Sequence, residues 1–235
     1  MDVAAHTANQ LLASLVAPDF ELLRPYLRVV EMVHRSVIAK ADSLIQQAYF
    51  PHSGVISLVV PLESGLTIEV AMVGRDSVFG AAAAIDGRST FVEVIVQLPG
   101  WASAIDVGHL KAAAQKSQTI REIFARHEEF ITAQAQQAAA CNATHTLPAR
   151  MARWLLRVRD LTGSDQMNLT QEFLGQMTGV QRTSVSGIAT ILQDAGVIRY
   201  SRGRIEVTDL SGLEAMSCEC HASLKARGRK LLLKN

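Results

Sequence analysis

The sequence predicts an α+β fold with an N-terminal antiparallel β roll, a long dimerisation helix and a C-terminal winged helix-turn-helix. Short β-branched runs separated by glycines fill residues 28–107, which is typical of antiparallel strands. Residues 119–144 contain neither Gly nor Pro and predict one long helix. Residues 169–194 combine two short amphipathic patterns and lead into a β-hairpin pattern. We therefore divide the chain into a roll, a helix with its hinge, and a winged helix-turn-helix, at residues 1–118, 119–146 and 147–235.

Composition indicates a globular protein whose two parts differ in charge. Hydrophobic residues make up 49% of the 235 residues, and the formal net charge is +1. Residues 1–141 contain 10 basic and 14 acidic side chains, a net charge of −4, whereas residues 142–235 contain 13 and 8, a net charge of +5. A basic C-terminal part suits contact with phosphates, although an excess of this size only supports that interpretation.

Cysteine usage and hydropathy bear on location. Cys141, Cys218 and Cys220 are too few for a disulfide framework and are typical of a reducing compartment. The first residues lack the pattern of a signal peptide, and no apolar window approaches the length of a membrane span. We expect a cytoplasmic protein without a membrane partner.

The first elements are two short helices followed by the strands of the roll. Residues 9–16 and 19–27 predict the helices, the second with Pro18 at its start. Glycines then recur at spacings that suit successive strand ends, as in a jelly-roll-like double sheet. Residues 78–86 are small and apolar, and predict either a buried helical turn or the wall of a pocket.

A connecting helix at residues 108–118 leads to the long helix, whose stripe has the spacing of a coiled-coil seam. Its members alternate at intervals of four and three residues. They are Ile120, Phe124, His127, Ile131, Gln134, Ala138 and Cys141. We interpret this stripe as a parallel dimer contact; the alternative is that it covers the chain's own β roll, and Ile123 and Phe130 form a second stripe that could face inward.

The helix-turn-helix is predicted from spacing. A helix at residues 149–161 precedes it. Thr170 suits a helix N-cap, Gly179 suits the positive φ of a tight turn, and Val185, Ile188 and Leu192 form one buried stripe. The opposite face is small and polar, and could enter a major groove with Arg182 on a guanine edge. The alternative is two packed helices with a solvated polar side.

A hairpin around Arg202 and Gly203 predicts the wing. A final amphipathic helix at residues 209–222 and a basic tail at residues 225–234 follow.

Three segments carry a resemblance to a known family. They are YFPHSGVISLVV in the roll, ACNATHTLPARMARWLLRVRD across the hinge, and LTQEFLGQMTGVQRTSVSGIATILQDAGVI in the C-terminal part. With them the chain resembles the Crp/Fnr superfamily of bacterial transcription regulators over nearly its whole length. The resemblance implies a cyclic-nucleotide-binding-like roll and a homodimer that binds a pseudo-palindromic DNA operator.

Departures from the family pattern limit which DNA contacts carry over. The family reads bases with Arg-Glu-Thr-Val-Gly/Ser-Arg, where this chain has Arg182-Thr183-Ser184-Val185-Ser186-Gly187, so only the first Arg matches. The familiar half-site is therefore not expected. We expect base contacts from the recognition helix and phosphate contacts from the wing and a helix start. The predicted DNA-binding residues are Thr170, Gln181, Arg182, Thr183, Ser184, Ser186, Arg202 and Arg204.

The roll departs from the family members that bind cyclic nucleotides. Their cassette has Gly-Glu for the ribose, where this chain has Gly80-Ala81, and the following Arg88-Ser89 comes too early to match the phosphate site. We predict weak or absent cyclic nucleotide binding, with Gly80, Ala81, Arg88 and Ser89 as the candidate effector pocket. No cofactor is expected: the closely spaced N-terminal cysteines of iron-sulfur members are missing. A haem would need a histidine such as His34, His52 or His127, which we interpret as structural or surface residues.

The segment Cys218-Glu219-Cys220-His221 is the densest set of soft ligands. It would need ligands from elsewhere to complete a tetrahedral site. We interpret these residues as part of a helix without metal, and thiol oxidation remains an alternative.

Two other functional classes have to be weighed against a DNA-binding regulator. A cupin-like metalloenzyme would need a His-x-His pair with a later Glu and His among the strands, which is not found, so no enzyme is predicted. A winged helix could also serve protein contact, although Arg182 and the basic wing favour DNA. The expected partners are double-stranded DNA and a second copy of this chain, with RNA polymerase as a further candidate.

Overall fold

The computed structural model describes residues 3–86, 89–179 and 182–232. The helices are α1 (Val3–His6), α2 (Gln10–Ala13), α3 (Ala17–Leu23), α4 (Ala83–Asp86), α5 (Val107–Lys116), α6 (Gln118–Thr144), α7 (Leu147–Thr162), α8 (Gln171–Thr178), α9 (Arg182–Asp194), α10 (Leu210–Met216) and α11 (Cys220–Leu232). The strands are β1 (Arg28–Met32), β2 (Val37–Ala39), β3 (Gln47–Pro51), β4 (Val55–Pro61), β5 (Thr67–Val73), β6 (Glu93–Leu98), β7 (Gly100–Asp106), β8 (Gln166–Asn168), β9 (Ile198–Ser201) and β10 (Arg204–Val207). A short 3-10 helix (Arg24–Tyr26) follows α3.

The roll is a double antiparallel sheet. One sheet has the strand order β1-β7-β3 and the other β2-β6-β4-β5, with β4 and β5 forming a hairpin. Alternating apolar residues of both sheets point into the interior, as expected for strands with one buried face. The predicted α+β fold, with its β roll, long helix and C-terminal winged helix-turn-helix, is confirmed.

Asn9 is one of the residues that fix the N-terminal helices to the roll. The side-chain oxygen of Asn9 accepts hydrogen bonds from the first amides of α2, while its buried amide group donates to the carbonyls of Pro51 and Ser77 at 2.9 Å each. This single side chain therefore caps a helix and ties it to a strand end and a loop.

The predicted seam of α6 faces the inside of the chain, so its assignment to a dimer contact is wrong. Ile120 and His127 are fully buried within the single chain, and Phe124 is 2% exposed. Gln134, Ala138 and Cys141 are buried as well, and Ile131 lies at the edge of the buried face. The roll and α11 both pack against this helix. Buried side chains cannot form the contact with a second copy.

Two hydrogen-bonded polar residues explain why a stripe with polar members is buried. The Gln134 side chain pairs with the backbone of Met72 in β5, accepting from its N–H at 3.1 Å and donating to its carbonyl at 3.2 Å. His127 Nε2 accepts from the Val78 N–H at 3.2 Å and contacts the Ser77 hydroxyl at 2.5 Å. Polar atoms that are paired within the chain, as both amide atoms of Gln134 and Nε2 of His127 are, can be buried at little cost. The second ring nitrogen of His127, Nδ1, is buried without a hydrogen-bond partner among the described residues and lies 3.6 Å from the Glu128 carboxylate.

The C-terminal domain shares an apolar core with the roll. Trp154 and Leu155 of α7 pack in one cluster with Val55, Val59 and Met72 of β4 and β5. Within this junction, the Trp154 indole N–H donates to Glu69 of β5 at 2.8 Å. The winged helix-turn-helix is therefore docked on the β4-β5 hairpin of its own chain.

Membrane insertion can be judged from the helices in these described ranges. None of them combines the length and the apolar composition that a bilayer span requires.

Candidate nucleic-acid interface and effector cavity

The helix-turn-helix has the local geometry that its sequence predicts. Thr170 caps α8, because its hydroxyl accepts from the Phe173 N–H at 3.2 Å. Gly179 follows α8 with a φ of 68°, the left-handed conformation that glycine adopts without strain. Val185 and Leu192 of α9 are fully buried and Ile188 is 5% exposed. The polar side of α9 is consequently turned away from the core.

The outer face of α9 is open and carries small groups. Ser184, Gly187 and Thr190 are exposed, and a Cβ added at Gly187 would meet open space. Ser186 is partly buried, and its hydroxyl donates to the side-chain oxygen of Gln171 at 3.0 Å. Small residues at the centre of this face allow a helix to approach base edges in a major groove. The larger Ile191 is exposed about one turn beyond Gly187, towards the C-terminal end of α9.

Three of the predicted base contacts lie where the structure gives no side chain. Gln181 lies outside the described residues, and so do the side chains of Arg182 and Thr183. The backbone of Arg182 begins α9, so this residue stands at the N-terminal end of the helix, the end that reads bases in helix-turn-helix proteins. Its base contact stays a prediction.

The wing is a small antiparallel sheet with the strand order β8-β10-β9. Arg202 and Gly203 form its tip with φ values of 48° and 78°, as a two-residue hairpin with a type I′ turn requires. Arg202 and Arg204 are exposed, whereas Arg199 forms an ion pair with a neighbouring strand residue at 2.9 Å. The wing tip thus presents two exposed guanidinium groups.

Backbone contacts place the wing tip beside the start of α8. The Leu169 N–H donates to the Gly203 carbonyl at 2.7 Å, and a Cβ at Gly203 would lie 3.7 Å from the Thr170 methyl group. The structure therefore brings together Thr170, Arg202 and Arg204, which the sequence assigns to phosphate contacts.

A mostly apolar cavity of about 430 Å³ lies between the roll and α6. Leu58, Phe79 and Ile131 contribute to its wall, and Gly80 and Ser89 line it as predicted. Ala81 does not line it, because its side chain is fully buried in the core beneath α4 and α5. Arg88 lies outside the described residues. Among the described lining residues, the charged side chain is Glu128, an acid.

The histidines considered as haem ligands have protein partners. His34 Nδ1 lies 3.0 Å from the carbonyl of Gln97, and His52 Nε2 lies 2.7 Å from the Ser103 hydroxyl. His127 is buried against Ser77 and Val78. These contacts fit structural roles for the three imidazoles.

The sequence interpretation missed one cluster. His221, the imidazole nearest to Cys218 and Cys220 in sequence, turns away and binds the Asp160 carboxylate at 2.9 Å. Cys141 and His145 approach the two cysteines instead. The spacing of the sequence gives no signal for this grouping, because Cys141 and Cys218 are 77 residues apart.

Comparison with known proteins identifies the C-terminal domain and the fold. Residues 149–216 match the model of the Crp-like helix-turn-helix domain. No curated protein matches the sequence at a significant level.

Solved structures match most of the chain. FixK2 from Bradyrhizobium japonicum is 17% identical, with a TM-score of 0.70 over 82% of this chain and 98% of that chain. A protein from Eubacterium rectale assigned to the Crp/Fnr family is 17% identical, with a TM-score of 0.68 over 89% and 98%. The c-di-GMP-responsive global regulator CLP from Xanthomonas campestris is 13% identical, with a TM-score of 0.67 over 83% and 100%. The chain thus carries a Crp-like helix-turn-helix domain at residues 149–216 within the fold of the Crp/Fnr superfamily of transcription regulators.

Proposed function

We propose that this protein is a homodimeric transcription regulator that binds a pseudo-palindromic DNA operator with α9 of each protomer. The observation that carries the proposal is the open, small and polar outer face of α9 beside the two exposed arginines of the wing tip. A groove-sized face with flanking cations fits a duplex better than a protein partner, because the cations suit phosphates.

The exposed face of α6 supports a dimer with a different seam from the predicted one. Exposed residues recur along it at alternating intervals of four and three residues. They are Ala125, Glu129, Thr132, Gln136, Ala139 and Ala143. The small residues let a second helix approach closely, and two parallel copies of α6 would direct both recognition helices to one side of the dimer.

Selection from random duplexes tests DNA binding and symmetry together. We expect the purified protein, without added ligand, to enrich a motif with two inverted half-sites separated by about one helical turn. Affinity should fall steeply as salt rises, because phosphate contacts release counterions. Enrichment of no duplex, or binding that does not depend on salt, would contradict the proposal and favour a protein-contact role.

The cavity supports an apolar effector rather than cyclic AMP. A buried phosphodiester needs a cationic partner, whereas the described wall presents the carboxylate of Glu128 and a largely apolar surface. Titration calorimetry with cyclic AMP should therefore give no binding in the micromolar range. Micromolar affinity would overturn this part of the proposal and assign the phosphate to Arg88.

The proposal includes no enzymatic activity, and contact with RNA polymerase stays a prediction. His34 and His52 of the roll, and His127 of α6 beside it, are the histidines considered for such a metal site, and each has a protein partner. Metal analysis would test this point. The cysteines Cys141, Cys218 and Cys220 form a separate group of metal-ligating side chains, so an ion that stayed bound after their replacement would favour a metal site in the roll.

A further inference from the structure

Three thiols and one imidazole from distant parts of the chain meet where α6, the hinge and α11 join. The sulfur atoms of Cys141, Cys218 and Cys220 and a ring nitrogen of His145 all lie within 4.8 Å of one another. Cys141 lies in the last turn of α6, His145 follows that helix, Cys218 precedes α11 and Cys220 begins it. The cysteines are buried and His145 is partly buried.

The separations in this group fit one tetrahedral metal ion. Cys141 Sγ lies 3.6 Å from Cys218 Sγ, and Cys220 Sγ lies 3.6 Å from His145 Nδ1. Bonds of about 2.3 Å to sulfur and about 2.0 Å to nitrogen place tetrahedral ligands about 3.8 Å (S to S) and about 3.5 Å (S to N) apart. The widest pairs would need to close by about 1 Å, which is within the reach of side-chain rotation.

Neighbouring groups orient these side chains. His145 Nε2 lies 3.2 Å from a carboxylate oxygen of Glu219, and a metal-bound histidine usually donates its second ring N–H to such a group. This contact leaves Nδ1 facing the thiols, with the Thr144 hydroxyl also 3.4 Å away. The Gln137 amide donates to Cys220 Sγ at 3.0 Å, a bond that would stabilise a thiolate.

Two arginines and a helix start lie beside this group and would offset part of the cost of burying its negative charge. Three thiolates and a divalent ion would carry a charge of about −1. Arg150 and Arg153 are close enough to interact electrostatically with Cys141. The N-terminus of α11, where Cys220 lies, also favours negative charge.

We propose that Cys141, His145, Cys218 and Cys220 bind one zinc ion and so lock the end of α6 to the C-terminal helices. Thiolate and imidazole ligands favour zinc, and four protein ligands make the closed shell of a structural site. Ligand atoms this close together surround a single ion rather than an iron-sulfur cluster. The proposal replaces our sequence interpretation of Cys218 and Cys220 as helix residues without metal, and it is independent of DNA binding.

Metal content of the full chain is the direct test. The protein, purified without a metal-binding tag and under reducing conditions, should contain about one zinc ion per chain. Cobalt(II) substituted for the zinc should give the visible absorption of a tetrahedral site and a thiolate-to-cobalt charge-transfer band. Removal of the metal with a chelator should lower the thermal midpoint, since the ion binds the folded chain.

Variants with a matched control assign the ligands. Cys220→Ser and His145→Ala should each lower the zinc content well below the wild-type level. His221→Ala is the control: it removes the neighbouring imidazole, which binds Asp160, and should leave about one zinc ion per chain.

Three results would overturn the proposal. They are less than about 0.1 zinc ion per chain after loading with excess zinc, a wild-type zinc content in both His145→Ala and Cys220→Ser, and a single free thiol in the freshly purified native chain. The last result would mean that a disulfide occupies the site. The cobalt spectrum is measured on the wild-type protein, so the test holds even if a variant fails to fold.

Discussion

The inner face of α6 and the outer face of α9 both carry polar residues among small or apolar ones, but they lie in opposite environments. On α6, the polar side chains of His127 and Gln134 are buried, with partners on the roll. On α9, Ser184 and Thr190 are exposed on a face with no bulky side chain at its middle. The polarity of a stripe therefore does not indicate whether it contacts another molecule; what decides is whether the rest of the chain covers that stripe, as it covers His127 and Gln134. Changes on the α6 face should alter folding, and changes on the α9 face should alter DNA binding.

The largest expected effect is on the inner face of α6. Phe124→Ala should lower the free energy of unfolding by about 3–5 kcal/mol, because it leaves a cavity in a core where the ring is buried. Denaturant unfolding measures this loss, and Lys111→Ala, at an exposed position of α5 outside the proposed dimer seam, is the control. Equal free energies of unfolding for the two variants would contradict the assignment of Phe124 to the core.

A partly buried carboxyl at the junction of roll and winged domain should make stability depend on pH. Burial raises the pKa of Glu69 to about 7 from 4.5, against the opposing effect of its hydrogen bonds to Ser57 and Trp154. Between these pH values the folded chain keeps a proton that the unfolded chain has lost, so stability falls as pH rises. The total loss from this group is about 3 kcal/mol.

Glu69→Gln should remove that pH dependence while keeping the size of the side chain. Denaturant unfolding at pH 5 and pH 8 should show a smaller fall in stability for Glu69→Gln than for the wild type. Glu63→Gln, at an exposed position in the same hairpin, should follow the wild type. An unchanged fall in Glu69→Gln would show that the carboxyl is ionised throughout this range.

A smaller effect is expected from the amide that binds β5. Gln134→Ala should cost about 1–3 kcal/mol, because it leaves the N–H and the carbonyl of Met72 without their partner in a buried place. The exposed Gln115 of α5 provides the control, and its replacement by Ala should be close to neutral. Similar unfolding midpoints for the two variants would mean that water replaces the lost amide.

Substitutions that affect the DNA-binding surface of α9 and the wing should change DNA affinity without changing stability. Arg182→Ala should weaken binding to the selected operator by about 1–3 kcal/mol and hardly affect random duplexes, whereas Arg204→Ala should weaken both alike. Both proteins should unfold at the wild-type midpoint. Fluorescence anisotropy on the two kinds of duplex separates the effects, and equal losses for Arg182→Ala would refute a base-reading role.

The sequence predicted the elements whose causes are local. The Thr170 cap, the turn at Gly179 and the hairpin at Arg202 and Gly203 each depend on residues within a few positions. The stripe Val185, Ile188 and Leu192 follows from helical periodicity. These features could be inferred because their physical reason lies within one short segment.

What the sequence could not predict depends on contacts between distant residues. Periodicity marks a stripe on α6 but does not say which surface covers it, and Gln134 pairs with a strand residue 62 positions away. The cysteines showed the same difficulty: His221 is adjacent to Cys220 in sequence, yet His145 is the imidazole that lies beside it in space. We predicted that Ala81 would line the pocket, but its side chain is buried in the core beneath α4 and α5.

The core shared by α7 and the β4-β5 hairpin has a consequence for signalling. Swinging the winged domain away from the roll would expose Trp154, Val55 and Met72 to water, which is costly for side chains of this size. In the dimer that we propose, the roll and the winged domain of each protomer would therefore rotate together, as one rigid body, about the contact between the two α6 helices. A small change in the angle between the two α6 helices would produce a larger change in the distance between the two recognition helices, because these lie far from the contact. The half-site spacing that the dimer prefers on its operator would therefore report which arrangement the dimer has adopted.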